Sequence, residues 1–265
     1  MSASNSSLLV SNGLRVTVPG RVLVEQLDLA LVRGEFIAVL GRNGTGKTLS
    51  LLTLAGLRTP DAGEILLGEQ NIVSMRRQLV AQQLALLTQD TDDIFPATVI
   101  DTALIGRHPH LGRLSWESAR DHEIAEAALL AAGIADLAGR DVLSLSGGER
   151  RRLAIAQILT QAPDVYLLDE PTNHLDPQHQ LDTLRIFRRA ADAGAGVIAS
   201  LHDVNLAARF ADRCLLLFGD GRWDLGPAAE ILNESRLEEV YATPMEAVDW
   251  RGGRLFVARG EQRPV

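Results

Sequence analysis

The chain has 265 residues, a hydrophobic content of 46% and a formal net charge of −8 at pH 7. This composition can build one large domain with a buried core, and its acidic balance argues against a nucleic-acid-binding protein, which would show a basic excess. No apolar run approaches the roughly 18 residues of a membrane-spanning helix, and the opening MSASNSS lacks the basic start and apolar middle of a signal peptide. We therefore expect a cytosolic protein.

Lysine is almost absent from the chain. Of the 26 basic residues 25 are arginine, and the single lysine is Lys47. Arginine presents a planar fork, whereas lysine presents a compact ammonium that can enter a small group of anionic oxygens. Because arginine is used everywhere else, we expect the chemistry at position 47 to require lysine.

The N-terminal part predicts strands followed by a phosphate-binding loop. Residues 8–32 alternate apolar and polar positions, which predicts antiparallel strands around a turn at Pro19-Gly20. Residues 36–40, FIAVL, predict a buried strand that ends in a glycine-rich loop and opens into an apolar helix, which is the context that a phosphate loop requires. The loop, GRNGTGKT, consists of Gly41, Arg42, Asn43, Gly44, Thr45, Gly46, Lys47 and Thr48.

This loop has the residue types that bind the phosphates of a nucleotide. Its glycines allow backbone angles at which N–H groups point inward, and the following helix adds its positive end. Lys47 is expected to reach the terminal phosphates, and the Thr48 hydroxyl is expected to bind Mg²⁺. The sequence therefore predicts a site for a nucleoside triphosphate with magnesium.

The middle of the chain changes from strands to helices. Residues 63–70, GEILLGEQ, are a hairpin candidate, and residues 84–88, LALLT, predict a strand that leads to Gln89. From about residue 90 to 143 the apolar spacing becomes helical, most clearly in WESARDHEIAEAALLAAGI, which predicts an inserted helical subdomain. Helices and strands alternate again from Leu145, which indicates an α/β core.

Two carboxylates follow the next buried strand. In residues 165–170, VYLLDE, an apolar run ends in Asp169 and Glu170, and parallel sheets bind ligands at the carboxyl ends of their strands. Successive side chains point to different sides, which predicts that Asp169 joins the Mg²⁺ shell while Glu170 faces the water that attacks the γ-phosphate. The alternative is a solvated pair of acids that simply ends the strand.

Gln89 and His202 each follow an apolar strand, in LALLTQ and VIASLHD. Strand ends converge on the ligand crevice, where Gln89 can ligate Mg²⁺ and orient water and His202 can donate to phosphate. Taken alone, residues at such positions are more often structural. The other histidines show no carboxylate spacing that predicts a metal site, so we expect no structural metal.

A second glycine-rich helix start lies in residues 143–154, LSLSGGERRRLA. Ser146, Gly147 and Gly148 precede a helix, as in a phosphate site, yet no lysine follows them. Residues 150–152 are arginines placed against the positive end of the helix dipole. We interpret these arginines mainly as solvated or ion-paired side chains; the alternative is that one of them assists in binding the phosphate.

The last part of the chain, residues 214–265, shows weaker patterns. It holds a strand–turn–strand candidate around FGDGRW, a short acidic helix in PAAEILNESRLEEVY and a Gly/Arg-rich tail without identifiable chemistry. Cys214 lies in the apolar run RCLLLF, which indicates a small buried hydrophobe rather than a nucleophile.

These elements, in this order, resemble the nucleotide-binding subunit of an ABC transporter over nearly the whole chain. The matching motifs are the phosphate loop 41–48, the glutamine loop at Gln89, the signature LSGGE at 145–149, the Walker B strand 165–170, the "LD" loop at Leu175-Asp176 and the switch histidine His202. LSGGE close before a Walker B strand is far more specific than a lone phosphate loop.

The resemblance implies an α/β fold: a P-loop NTPase core with an N-terminal antiparallel β subdomain and an inserted α-helical subdomain. Within a single domain, residues 1–265, the core and β subdomain would comprise 1–89 and 146–220. The helical subdomain with the signature would comprise 90–145, and a C-terminal extension 221–265.

The dimer of this family explains why the second loop needs no lysine. Two subunits pack head to tail, so that Ser146, Gly147 and Gly148 of one subunit close over ATP whose γ-phosphate is already neutralised by Lys47 of the other. Asp176 would lie at the dimer seam. The resemblance therefore implies ATP and Mg²⁺ as ligands and a homodimer as the assembly.

The chain departs from the family at the adenine site. The aromatic residue that usually stacks on adenine is replaced by Val18, in RVTVPGR, and no Phe, Tyr or Trp lies nearby in the sequence. Loss of such a ring costs about 1–3 kcal/mol of base binding. We therefore expect apolar contact alone to hold the base, with weak discrimination between ATP and GTP.

Four classes of ABC protein are compatible with the motifs. Importers keep the ATPase on a separate chain, many exporters fuse it to membrane helices, DNA-repair relatives insert long coiled coils, and translation-factor relatives carry two units in tandem. Residues 103–114, ALIGRHPHLGRL, resemble a stretch typical of ATPases that serve type II importers of iron–siderophores, haem and cobalamin. An ATPase of an exporter or lipid-handling system, and a nontransport ATP switch, remain alternatives.

For the importer, the resemblance implies three further expectations. The ATPase would lie on the cytoplasmic face of the inner membrane and bind integral membrane permease subunits. It would cooperate indirectly with a substrate-binding protein. Separately, the acidic net charge predicts that the chain binds no nucleic acid.

Overall fold

The computed structural model describes residues 7–89, 96–112, 115–173, 175–251 and 253–259. In these ranges the strands are β1 (Ser7–Val18), β2 (Arg21–Val32), β3 (Phe36–Leu40), β4 (Ala62–Leu67), β5 (Gln70–Asn71), β6 (Leu84–Leu87), β7 (Val165–Leu168), β8 (Gly196–Ser200), β9 (Arg213–Leu217), β10 (Trp223–Pro227), β11 (Met245–Trp250) and β12 (Gly253–Ala258). The α-helices are α1 (Lys47–Leu54), α2 (Arg77–Gln83), α3 (Val99–Leu104), α4 (Ala119–Ala131), α5 (Gly147–Gln161), α6 (Pro177–Asp192), α7 (Val204–Phe210), α8 (Ala228–Ile231) and α9 (Glu234–Tyr241).

Some sequence predictions fall outside these ranges. They are the start of the helical insert at residues 90–95, two positions of the 103–114 stretch (113 and 114), the opening residues 1–6 and the last six residues of the tail. Within the described ranges, no helix is both long enough and apolar enough to span a bilayer.

The N-terminal strands form an antiparallel sheet in the order β2-β1-β4-β5. β1 and β2 pair across the turn at Pro19-Gly20, and β4 pairs with the short β5, so both hairpin predictions are confirmed. The alternating pattern buries one face of this sheet, and Leu27 and Ile65 pack in the same core as Leu51 of α1. The phosphate-loop helix is thereby attached to the β sheet.

The central sheet has the order β10-β9-β3-β8-β7-β6. The five strands from β9 to β6 are parallel, and β10 is an antiparallel edge strand. All five residues of β3 are buried, which is why FIAVL shows no polar alternation. Phe36 and Leu40 pack on one face while Ile37 and Val39 pack on the other, so both faces of the sheet are covered.

The helices predicted between the two halves of the core are present in the described residues. α3, α4 and part of α5 share a separate apolar core that includes Val99, Leu129 and Leu153. α4 begins with a capping box between Ser118 and Asp121. α3 and α4 therefore bury their apolar faces in this separate core, whereas α5 also packs on the central sheet through Ile155 and Ile158.

The C-terminal part differs from its prediction in two places. The segment expected to form one acidic helix forms two, α8 and α9. Asn233 lies between them and caps α9, where its side chain accepts from Arg236 N–H at 3.1 Å. The tail, for which no structure was predicted, contains the β11–β12 hairpin. Cys214 is buried in β9 as predicted, and burial raises the pKa of its thiol to about 12.

Candidate active site

The carboxyl ends of the central strands open onto a cavity of about 570 Å³. The loops that follow β3, β6, β7 and β8 all contribute to it. Its lining residues are Val18, Arg21, Leu23, Asn43, Gly44, Gly46, Lys47, Thr48, Leu49, Gln89, Glu170, Asn173 and His202. Gln89, Glu170 and His202, which the sequence analysis selected from three separate segments, thus lie around one cavity with the phosphate loop.

The phosphate loop adopts a shape that requires glycine at two positions. Gly41 has φ = 156°, and a Cβ there would lie 2.6 Å from Thr45 Oγ1 and 2.7 Å from Leu217 O. Gly46 is the N-cap residue directly before α1, and at φ = 105° it has a left-handed conformation. Arg42 and Thr45 complete the loop behind the cavity lining, where Thr45 Oγ1 donates to Arg42 O at 2.9 Å.

Lys47 is held inside this loop. Its side chain is buried, and Nζ donates to Gly41 O at 2.8 Å and to Arg42 O at 3.3 Å. Burial lowers the pKa of Lys47, while the nearby carboxylates of Glu170 and Asp169 oppose that effect. A compact ammonium with partly satisfied donors therefore faces the cavity, which is suited to binding phosphate oxygens.

Glu170 is fixed through both its backbone and its side chain. It has φ = 48°, a conformation that side chains other than Gly, Asn and Asp rarely adopt. Its N–H donates to Ser200 Oγ at 2.8 Å, and Ser200 Oγ donates to Asp169 Oδ1 at 2.7 Å. Its carboxylate accepts from the Asn173 amide and lies against the His202 ring, with 2.5 Å between Oε1 and Nε2.

The three residues predicted to hold Mg²⁺ line a second, smaller cavity of about 340 Å³. Thr48 and Gln89 line both cavities, and Asp169 lines only the second. Together they offer a hydroxyl, an amide oxygen and a carboxylate, the hard oxygen donors that Mg²⁺ prefers. This donor set fits the predicted ion.

The signature tip, which consists of Ser146, Gly147 and Gly148 at the start of α5, does not line the 570 Å³ cavity of its own chain. Ser146 caps α5 in a capping box with Glu149: Ser146 N donates to Glu149 Oε2 at 2.7 Å. At both Gly147 and Gly148 an added Cβ would meet no described atom within 4 Å. This end of the helix is therefore open to another molecule.

The interpretation of all three signature arginines as solvated or ion-paired is wrong for Arg151. Its residue surface is only 6% exposed, and its guanidinium donates to main-chain carbonyls at the ends of β6 and β7. Arg150 and Arg152 are half-buried and donate to Leu143 O and Gly133 O, respectively. Helical position alone did not reveal which arginine faces the core.

Asp176 and Val18 lie at different places relative to the cavity. Asp176 caps α6, accepting from His179 N at 2.9 Å, and is not among the residues lining the cavity. Val18 lines the cavity and pairs across the β1–β2 turn with Arg21, whose Nε donates to Gly219 O at 2.8 Å.

Sequence reasoning missed four residues of this region. They are Arg21, Asn173, Ser200 and Arg151. Ser200 ends an otherwise apolar strand two residues before His202, which is a signal that the sequence did contain. The roles of Arg21 and Arg151 depend on contacts between distant segments, whereas Asn173 contacts Glu170, which lies three residues before it.

Residues 24–173 match the family model described as "ABC transporter". The chain is 40% identical over 260 residues to the hemin import ATP-binding protein HmuV of Pseudomonas fluorescens, covering 95% of this chain and 100% of that protein. The chain belongs to the ABC transporter family.

Two further relatives extend the likeness. A cobalamin import ATP-binding protein, BtuD, of Halobacterium salinarum is 36% identical over 231 residues, covering 86% of this chain and 57% of that protein. A solved inward-facing conformation of an ABC transporter matches with a TM-score of 0.83 and 27% identity, covering 96% of this chain and 98% of that one. The α/β fold with a P-loop NTPase core and the assignment as a nucleotide-binding ABC ATPase are confirmed.

Proposed function

We propose that this chain is the ATP-hydrolysing subunit of a membrane importer for an iron-containing or related chelate, with haem as the first candidate. The observation that carries the proposal is the cavity that gathers the phosphate loop, Gln89, Glu170 and His202 in an ABC ATPase. Likeness to a hemin import ATPase over nearly the whole chain supports the choice of cargo.

The arrangement supports separate roles for these residues in hydrolysis: phosphate binding, Mg²⁺ binding and proton transfer. The N–H groups of residues 43–48 and the Lys47 ammonium bind the β- and γ-phosphates. Thr48, Gln89 and Asp169 would hold Mg²⁺, which when bound neutralises charge on the phosphate oxygens. Glu170 takes a proton from the attacking water.

His202 acts on the same reaction from the neighbouring strand. Its Nε2 lies against Glu170 Oε1, so the ring orients this carboxylate before nucleotide binds. Once nucleotide is bound, this N–H would donate to the γ-phosphate instead. Asn173 holds the other carboxylate oxygen of Glu170. The general base therefore has a defined direction before the nucleotide binds.

A homodimer would complete each site. In the proposed assembly Ser146, Gly147 and Gly148 of one copy bind the γ-phosphate held by the other copy, and Asp176 lies at the seam. Two features support it: an added Cβ at Gly147 or Gly148 would meet no described atom within 4 Å, which leaves room for a close approach, and the α5 N-terminus directs N–H groups and a positive dipole outward.

The remaining partners follow from an importer. Integral membrane permease subunits would dock near Gln89 and the helical subdomain, here taken as residues 90–145, and would hold the ATPase at the cytoplasmic face of the inner membrane. A substrate-binding protein would act on the far side. The core and β subdomain (1–89 and 146–220) would bind nucleotide, and residues 221–265 would form the extension.

The proposal is tested by measuring the uptake of labelled cargo. In a strain that lacks this gene, the wild-type chain should restore uptake of labelled haem, whereas the Glu170→Gln chain, expressed at the same level, should not. Parallel uptake of a labelled ferric siderophore and of cobalamin distinguishes the candidate cargoes.

Two results would overturn the proposal. Unchanged uptake of all three cargoes in the deletion strain would exclude the importer. A purified chain that hydrolyses ATP but brings down no integral membrane protein would point to a nontransport switch.

A further inference from the structure

Arg151 connects two strand ends that carry catalytic residues. Its Nη1 donates to Thr88 O at 2.6 Å and to Gln89 O at 3.3 Å, after β6. Its Nη2 donates to Asp169 O at 2.9 Å and to Glu170 O at 2.7 Å, after β7. One planar guanidinium therefore spans both main-chain segments, which a single ammonium or amide group is too small to do.

The bond to Glu170 bears directly on the unusual backbone of this residue. A non-glycine residue at φ = 48° is held there only if its surroundings restrain it. Ser200 Oγ accepts from the N–H of Glu170, and Arg151 donates to its C=O, so hydrogen bonds restrain the residue at both of its backbone polar groups. Loss of either hydrogen bond would let the carboxylate move relative to the cavity.

Arg151 also lies on the helix that begins with the signature. It is five residues after Ser146, or about 7.5 Å along the axis at 1.5 Å per residue. The tip of α5 is open, whereas the Arg151 guanidinium points into the catalytic edge of the same chain. The helix is therefore bonded to the main-chain carbonyls of Gln89 and Glu170 and of the residue that precedes each of them.

We propose that Arg151 is a positioning residue for ATP hydrolysis, which fixes the main chain at Gln89 and Glu170 from the signature helix. This inference rests on the proposed function, because it assumes that Glu170 is the base. In a head-to-tail dimer it has a consequence: movement of the tip against the partner's nucleotide would be passed through Arg151 to the chain's own Glu170.

The test compares two substitutions with a matched control. Arg151→Lys keeps the charge but loses the fork, and Arg151→Gln keeps a donor but loses reach and charge. Arg150→Gln, one position earlier on the same helix, removes a half-buried guanidinium whose bond is to Leu143 O, away from the site. Each full-length protein is assayed for ATP affinity, kcat and thermal stability.

The proposal predicts that both Arg151 variants bind ATP within about twofold of wild type. Their kcat should fall about 10- to 100-fold, as expected for a displaced catalytic group. Arg150→Gln should keep the wild-type kcat. Arg151 variants that melt earlier yet retain the wild-type kcat would show a purely structural role and would overturn the proposal.

Ser200→Ala provides a second route, which is needed if the Arg151 variants do not fold. It removes the other restraint on Glu170 without altering Arg151, and should also lower kcat while ATP binding persists; an unchanged kcat would contradict the proposal. Glu170→Gln is the reference: if it hydrolyses ATP normally, the proposed function fails, whereas failure at Arg151 alone leaves that function intact.

Discussion

The carboxylate of Glu170 and the imidazole of His202 are in contact, with 2.5 Å between Oε1 and Nε2, although 32 residues separate them in the chain. The contact exists because β7 and β8 are parallel neighbours that end at the same edge of the sheet. A carboxylate and an imidazole are thus brought together by topology rather than by sequence proximity.

Replacement of Glu170 by glutamine should separate ATP binding from turnover. The amide keeps the size of the side chain but cannot accept the proton of the attacking water, so kcat should fall about 10²- to 10⁴-fold. Phosphate release and gel filtration with ATP would measure turnover and an accumulated ATP-bound dimer. Normal hydrolysis by this variant would remove Glu170 from the role of base.

Lys47 should tolerate neither removal nor conversion to arginine. Lys47→Ala loses the ammonium, and Lys47→Arg places a bulky fork in a position that is only 5% exposed. Both should abolish ATP binding or turnover, as measured by nucleotide titration and phosphate release. Wild-type activity of Lys47→Arg would show that charge alone suffices and that the lone lysine is incidental.

The contact expected between Val18 and the adenine ring predicts a nucleotide preference that a substitution can change. With Val18 in place of an aromatic ring, wild type should discriminate weakly between ATP and GTP in competition binding. Val18→Tyr should strengthen ATP binding by about 1–3 kcal/mol through stacking. A large preference for ATP in the wild-type chain, or no gain from tyrosine, would contradict this interpretation.

The helical region should depend on one buried carboxylate. The Asp121 carboxylate accepts from Ser118 and binds Arg107 Nε at 2.8 Å, and these bonds hold its pKa well below its usual range. Asp121→Asn should cost about 1–3 kcal/mol of unfolding free energy at pH 7. Asp136→Asn, at an exposed acid of the same region, is the control.

The pH dependence of this effect has a defined sign. Because the pKa of Asp121 is lower in the folded than in the unfolded chain, its contribution is complete above about pH 4 and is lost as the pH falls toward the folded value. Thermal melts of both variants from pH 7 to pH 3 would show the Asp121→Asn deficit shrinking with acid. A deficit that stays constant to pH 3 would exclude the ionised carboxylate as its cause.

The core and the phosphate loop could be predicted because their signals are local. The apolar run FIAVL predicts a strand that is buried on both faces, and the glycines of GRNGTGKT are required by backbone angles within the loop itself. The β11–β12 hairpin was missed because apolar residues such as Val248 and Val257 occupy its exposed face, so no apolar-polar alternation marks the strands.

The contacts of Arg151 could not be predicted for a different reason. Three consecutive arginines look alike in sequence, and only the packing of α5 against β6 and β7 decides which one faces inward. That choice depends on the tertiary structure. Asn173 instead joins the site through a local turn, three residues after Glu170.

The central claim is that each nucleotide lies between the phosphate loop of one copy and the signature tip of the other. Exposed Asn43 and Ser146 mark these two surfaces, and the native Cys214 is buried and will not compete. In the Glu170→Gln background, copies carrying Asn43→Cys should crosslink to copies carrying Ser146→Cys when ATP is present and not in its absence. Failure to crosslink under ATP, with both single variants binding ATP normally, would contradict the account.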